Sequence, residues 1–300
     1  MIRLTRRDFV RSALATSAAL ASGSALGCGA PESRAPHVPP LRLSYGGFPI
    51  GIQSWSLRHY TLDAALEIVE ALGLSRVELI PATGLGPIRV AEHLPVTADA
   101  ATQGAALAAC RARGIQIAAH GVNAVPDAEA ARALFAFAQR VRIPVLTIAP
   151  SEGALDELDA LCSASPGVRL AIHNHGPYLP WETIEEILAA IEPRHPSFGA
   201  CVDTGHFIRS GIDPVDAIRR FGARVHGVHL KDFVEAGAFA DGCILGDGEL
   251  DLEAVFRALR DVGFSGALSL EYEENPENVV ADLVACLGAA SQAAERVARV

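Results

Sequence analysis

Three hundred residues, half of them hydrophobic and 6% aromatic, can bury a large core and allow one α/β barrel or two ordinary domains. A formal net charge of −10 argues against a nucleic-acid partner, because affinity for a phosphate backbone is carried by cations. A sequence this apolar also excludes extensive disorder away from its ends.

The N-terminal residues read apart from the fold. Thr5-Arg6-Arg7-Asp8-Phe9-Val10-Arg11 leads into an uncharged run over 12–27, rich in Ala and Ser and too weakly apolar to span a bilayer. Residues 1–27 resemble a twin-arginine export signal. Ala25-Leu26-Gly27-Cys28 resembles a lipoprotein processing box, with Ala where Leu is usual. The chain is therefore expected to be exported, either periplasmic or membrane-anchored through a lipidated Cys28. Cys110, Cys162, Cys201, Cys243 and Cys286 show no C-x-x-C spacing and are odd in number, which indicates neither a zinc ribbon nor a disulfide framework. Residues 28–46 read as a Pro-rich linker, with Pro31, Pro36, Pro39 and Pro40 and little hydrophobic periodicity.

From residue 47 a unit repeats: a short β-rich run, a polar loop, then an amphipathic helix closed by Gly or followed by Pro. The first strand is expected over 50–54, with a helix from an N-cap at Thr61 to Gly73. The second covers 76–80, and its helix opens at Thr97 and ends at Gly114. Strand three covers 115–120 and its helix 127–140; strand four covers 145–149 and its helix 153–162. Strand five spans 168–174, and Thr183 with Glu186 has capping-box spacing. Strand six spans 198–203, and Asp213-Pro214 places an N-cap and a first-turn proline before a helix over 215–221. Strand seven covers 224–230, with a long loop to a helix at Asp251; strand eight covers 267–271, and Asn275-Pro276 opens the last helix. Eight such units over 47–300 predict one (β/α)8 TIM barrel, with a doubly wound sheet as the alternative.

In a barrel the active site lies at the C-terminal strand ends. Those ends carry Gln53, Glu78, His120, nothing ionisable on strand four, His173 with His175, Asp203 with His206, His229 with Lys231, and Glu271. His37, His93 and His195 fall in loops and read as surface residues. Carboxylates and imidazoles without thiolates suit one divalent ion, Mn²⁺, Mg²⁺, Co²⁺ or Zn²⁺. Period-two alternation lets Asp203, His229 and Glu271 converge from consecutive strands, with His173 as the fourth candidate ligand.

Val202-Asp203-Thr204-Gly205-His206, Val228-His229-Leu230-Lys231-Asp232, Leu268-Ser269-Leu270-Glu271-Tyr272-Glu273 and Gly51-Ile52-Gln53-Ser54-Trp55-Ser56 resemble the sugar phosphate isomerase/epimerase family of xylose isomerase-like barrels. The resemblance covers nearly all of 47–290 and implies one divalent metal on strand-end carboxylates and an imidazole, polarising a sugar carbonyl or hydroxyl. Many relatives carry a Glu at the end of strand five, serving as ligand and proton-transfer group. Here His173-Asn174-His175 occupies that place, so neither role carries over unaltered.

The chemistry expected is metal-assisted α-proton abstraction on a sugar or keto-sugar, as in aldose–ketose isomerisation or epimerisation. Catalytic candidates are Glu271 and His173 as bases and Lys231, while Glu78, His120, His175, His206 and Lys231 form the substrate-binding ring. The same abstraction beside a leaving group gives β-elimination, hence the alternative of a lyase or hydrolase of 3-keto-glycosides. A non-catalytic sugar-binding lipoprotein is the alternative of another class. The apurinic endonuclease branch uses a trinuclear zinc site with an Asp-x-His after strand seven; no histidine follows His229 here. A small-molecule sugar is the expected partner, and association of copies stays open.

Overall fold

A computed structural model of the chain describes residues 34–36, 41–81, 92–276 and 278–299. The expected signal, Cys28, most of the linker and His37 lie outside the described residues.

Each unit is set by local chemistry. Strand β1 (Ile50–Gln53) is followed by a 3-10 turn (Ser54–Leu57) and helix α1 (Leu62–Ala71), whose N-cap Thr61 accepts from the Ala64 N–H. Strand β2 (Arg76–Leu79) leads to α2 (Ala100–Ala112), capped by Asp99 instead of the expected Thr97. Strand β3 (Gln116–Val125) runs five residues beyond the expected end, and α3 (Ala128–Val141) follows its cap Asp127. Then come β4 (Val145–Pro150), α4 (Leu155–Ala164), β5 (Arg169–His173) and α5 (Ile184–Ile191), where Thr183 and Glu186 form the expected reciprocal capping box. Strand β6 (Phe198–Asp203) passes directly into a short helix α6 (Thr204–Arg209) that the pattern did not predict, because Asp203 is at once strand end and helix cap. Helix α7 (Pro214–Phe221) starts at the Asp213-Pro214 signal, and β7 (Val225–Leu230) follows. The long loop after β7 holds a two-stranded antiparallel hairpin, β8 (Asp232–Phe233) with β9 (Gly242–Cys243). Helix α8 (Leu252–Asp261), β10 (Ala267–Leu270) and α9 (Val279–Ala298) close the chain, α9 beginning after Asn278 and not at Asn275-Pro276.

The large strands pair in parallel in the order β1-β10-β7-β6-β5-β4-β3-β2 and close, Ile50 pairing with Leu268. That closure removes the doubly wound alternative: the fold is a (β/α)8 barrel. Side chains between sheet and helices form the main core, with Phe135, Phe137, Phe198 and Phe256 all but inaccessible to water. Each such burial contributes about 1.5–3 kcal/mol. A second buried cluster, including Val145, Ala171, Cys201 and Ala267, is built of small side chains. A Cβ on Gly227 would come within 3.1 Å of the Cys201 sulfur and 3.6 Å of the Ala171 Cβ. Among the described residues no helix is long and apolar enough to cross a membrane.

Candidate metal centre and substrate cavity

Four strand ends bring His173, Asp203, His229 and Glu271 together, with one donor atom from each within 4.8 Å of the others. His173 Nε2 lies 3.4 Å from Asp203 Oδ2, and His229 Nδ1 lies 2.9 Å from Glu271 Oε2 and 3.8 Å from Asp203 Oδ2. All four side chains are buried, and none of these four atoms makes a well-formed hydrogen bond, although the two carboxylate oxygens are ion-paired with Lys231. Buried polar atoms normally find partners, so two imidazole nitrogens without a hydrogen bond beside two carboxylate oxygens, all within reach of one point, fit a cation. Two neutral-capable nitrogens and two carboxylates suit Mn²⁺, Co²⁺ or Zn²⁺ and do not exclude Mg²⁺.

The rest of each strand end holds these donors in place. Asp203 Oδ1 accepts from the His206 N–H at 2.8 Å, capping α6, which leaves Oδ2 for the centre. Asn174 extends the β5–β6 ladder by two bonds, its Oδ1 accepting from the Asp203 N–H at 2.7 Å and its Nδ2 donating to the Asp203 carbonyl at 3.0 Å. Thr204 Oγ1 donates to the Lys231 carbonyl at 2.6 Å and accepts from the Lys231 N–H at 2.9 Å, fixing the end of β7. The Lys231 ammonium stands 3.1 Å from Asp203 Oδ2 and 3.2 Å from Glu271 Oε2 and also pairs with Glu273.

Charge is balanced internally. Burial disfavours ionisation of Asp203, but His206, Lys231 and His173 outweigh it and hold the carboxyl well below its usual range. Burial likewise opposes the Lys231 charge, and Asp203, Glu271 and Glu273 raise it well above the usual value. Against burial, Lys231 holds Glu273 down to about 2. Burial is the main cause that pushes His175 and His206 down to about 3, helped by the charge on Lys231. Both imidazoles are therefore neutral near pH 7 and can donate and accept hydrogen bonds.

A cavity of about 310 Å³ opens at this centre, lined by the apolar side chains of Trp55, Ile80, Pro81 and Val122 and by the polar side chains of Gln53, His173, His175, His206, Lys231, Glu271 and Glu273. A lining of both apolar and polar side chains suits a sugar, which presents both C–H and hydroxyl groups. Of the expected substrate ring, His175, His206 and Lys231 line this cavity. Glu78 and His120 do not, and their placement corrects the expectation. Glu78 is 1% exposed and bonds His229, Thr147 and Ser269 inside the barrel. His120 bonds the Leu94 carbonyl at 2.8 Å and packs on Phe137 of α3, so it faces the helix layer. Two cavity residues were missed. Glu273 follows Glu271 by two and so shares its direction, a signal the alternation carried; Trp55 stood inside a quoted motif without a role, and its Nε1 donates to Glu273 at 3.2 Å. His93 is not a surface residue: it is buried and bonds the Tyr60 carbonyl at 3.0 Å.

Fold and site together define a (β/α)8 barrel with a cation-competent His₂-carboxylate₂ centre at the C-terminal ends of its strands. The chain belongs to the xylose isomerase-like TIM barrel family, whose sequence model matches residues 66–289. It is 30% identical over 135 residues to an inosose dehydratase of Clostridium botulinum (strain Alaska E43 / Type E3), covering 38% of this chain and 43% of that protein. The chain thus spans less than half the length of that curated relative. A structure of an uncharacterised protein from Parabacteroides distasonis is similar at 27% identity and a TM-score of 0.60, covering 79% of this chain and 96% of that one. An IolI protein solved with a bound zinc atom shares the fold at 16% identity and a TM-score of 0.62, covering 83% of this chain and 96% of that one.

Proposed function

We propose that the protein is a divalent-metal-dependent enzyme that removes the proton α to the carbonyl of a cyclic sugar or keto-sugar and then expels a β-oxygen, which makes it a lyase. The observation that carries the metal-dependent step is the convergence of four buried donors, two of which, His173 and Glu271, line the cavity. Similarity to inosose dehydratases supports elimination as the outcome. A divalent ion held by His173, Asp203, His229 and Glu271 would supply Lewis-acid stabilisation of the charge that develops on the carbonyl oxygen. Glu271, on the cavity lining, is the assigned base, with His173 as its alternate, and passes the proton it removes to the departing oxygen; Lys231, held charged by three carboxylates, hydrogen-bonds that oxygen as negative charge develops on it. His175 and His206 orient ring hydroxyls, and Trp55 offers its face to the ring's C–H side.

A second reading, isomerase or epimerase, is favoured by the presence of both candidate bases, Glu271 and His173, on the lining of one cavity, where the proton removed from a carbon can be returned to the substrate. The resemblance of residues 1–27 to an export signal supports action outside the cytoplasm, with Cys28 as the lipid attachment point.

Elemental analysis of the purified protein is expected to find close to one divalent ion per chain, lost on Asp203→Ala plus Glu271→Ala. Retention of full metal by that double variant would sink the proposal. With the metal-loaded enzyme and keto-polyols in D₂O, NMR should show loss of water; deuterium at the α-carbon without bond cleavage would select the second reading. Glu271→Gln should lower kcat by roughly 10²–10⁴-fold.

A further inference from the structure

We propose that Glu78 is a positioning residue that fixes both the ring orientation and the tautomer of His229, so that an unprotonated Nδ1 faces the metal position. The proposal rests on reading the four donors as a metal centre. His229 is fully buried on β7, and its two nitrogens meet different surroundings. Nε2 donates to Glu78 Oε2 at 3.0 Å, whereas Nδ1 points at Glu271 Oε2 and Asp203 Oδ2. A half-turn of the ring about Cβ–Cγ would put Cδ2 in the place of Nδ1 and Cε1 in the place of Nε2, losing both contacts, and nothing in the ring itself prevents it. Glu78 supplies the preference, because a carboxylate can only accept and therefore selects the nitrogen that carries hydrogen.

Glu78 is itself held from two further strands. Thr147 Oγ1 of β4 donates to Oε1 at 2.7 Å, and Ser269 Oγ of β10 donates to Oε2 at 2.8 Å. Ser269 is paired in register with His229, so the hydroxyl that steadies Glu78 stands beside the imidazole it orients. Strand four, which carries nothing ionisable at its end, thus contributes a hydroxyl to the centre. Burying a carboxylate is costly unless its oxygens are satisfied. Here three donors converge on it, and one of those donors is a side chain that reaches the centre. A volume-filling residue at this point would need neither charge nor the two hydroxyls. The charge adds a second effect, since a carboxylate hydrogen-bonded to a ligating imidazole makes it a better electron donor.

The test uses the full-length protein labelled with ¹⁵N-histidine, titrated with Zn²⁺ by calorimetry and then examined by NMR in the zinc-loaded state. Glu78→Gln keeps an acceptor and loses the charge; Glu78→Leu loses both. Zinc affinity is expected to fall roughly 10-fold in the first and roughly 100-fold in the second. The Nε2–H signature of His229 should persist in wild type and Glu78→Gln and vanish or exchange between tautomers in Glu78→Leu. If Glu78→Leu does not fold, Ser269→Ala takes its place, with a few-fold loss of affinity expected from a loosened carboxylate. Wild-type affinity and an unchanged ring signature in the folded variants would overturn the role of Glu78 and leave the metal reading standing. A wild-type protein that takes no Zn²⁺, Mn²⁺ or Co²⁺ would instead overturn the metal reading.

Discussion

Asp203 shows how one side chain can serve two demands. An Asp between a strand and a turn can be read as a helix cap or as a ligand, and the geometry makes it both, one oxygen for each. The carboxylate bonded to the α6 amide is oriented by that bond, so the cap places the donor. The neighbouring departure from the family pattern, His173, has a testable consequence. Its Nε2 stands where the resemblance implies a carboxylate, and His173→Glu would replace a borderline nitrogen with a hard oxygen. Competition titrations should then show the selectivity for Zn²⁺ over Mn²⁺ falling at least several-fold. An unchanged ratio would show that residue 173 does not touch the ion.

At the scale of elements, the junction of β6 with α6 is the tightest part of the site. A Cβ on Gly205 would stand 2.7 Å from Lys231 Cγ and 2.7 Å from Phe233 Cε2, so this glycine is required by close approach. Gly205→Ala should destabilise the fold by about 1–3 kcal/mol through overpacking, read as a lower Tm, and should weaken substrate binding by displacing Lys231. An alanine variant with wild-type Tm and KM would mean that the loop after β7 yields without cost. That loop is organised from within, by Asp232, whose carboxylate accepts from the backbone N–H groups of Phe233, Gly246, Gly248 and Leu250. No such scaffold was readable in 233–248, because four amides spread over eighteen residues leave no periodic trace.

For the whole molecule, buried neutral histidines set an acid limit. Burial is the main cause that takes His93 and His226 from 6.5 down to about 4, and neither lines the cavity. In that interval the unfolded chain binds protons that the folded chain refuses, so stability is complete above pH 6.5 and falls as the pH drops toward 4. Each residue can contribute up to about 3 kcal/mol to this loss. Thermal unfolding followed across that range should show Tm falling with acid, and His93→Gln should flatten the fall; equal slopes would exclude His93 as a source. The sequence alone determined the eight units, the caps Thr61, Thr183 and Asp213 and the convergence of His173, Asp203, His229 and Glu271, because these follow from local periodicity and from where each strand ends. Only the tertiary structure decided that Glu78 and His120 leave the cavity and that Trp55 and Glu273 enter it. For His120 the reason is that β3 carries the extra residue at both of its register shifts, Ala118 against β2 and one more between His120 and Asn123 against β4, which breaks the strict alternation; Glu78 does point into the barrel but is enclosed by the Thr147, His229 and Ser269 side chains that bond it. A bulge re-aims a side chain without changing the hydrophobic pattern, so its effect is visible only once neighbouring strands are paired.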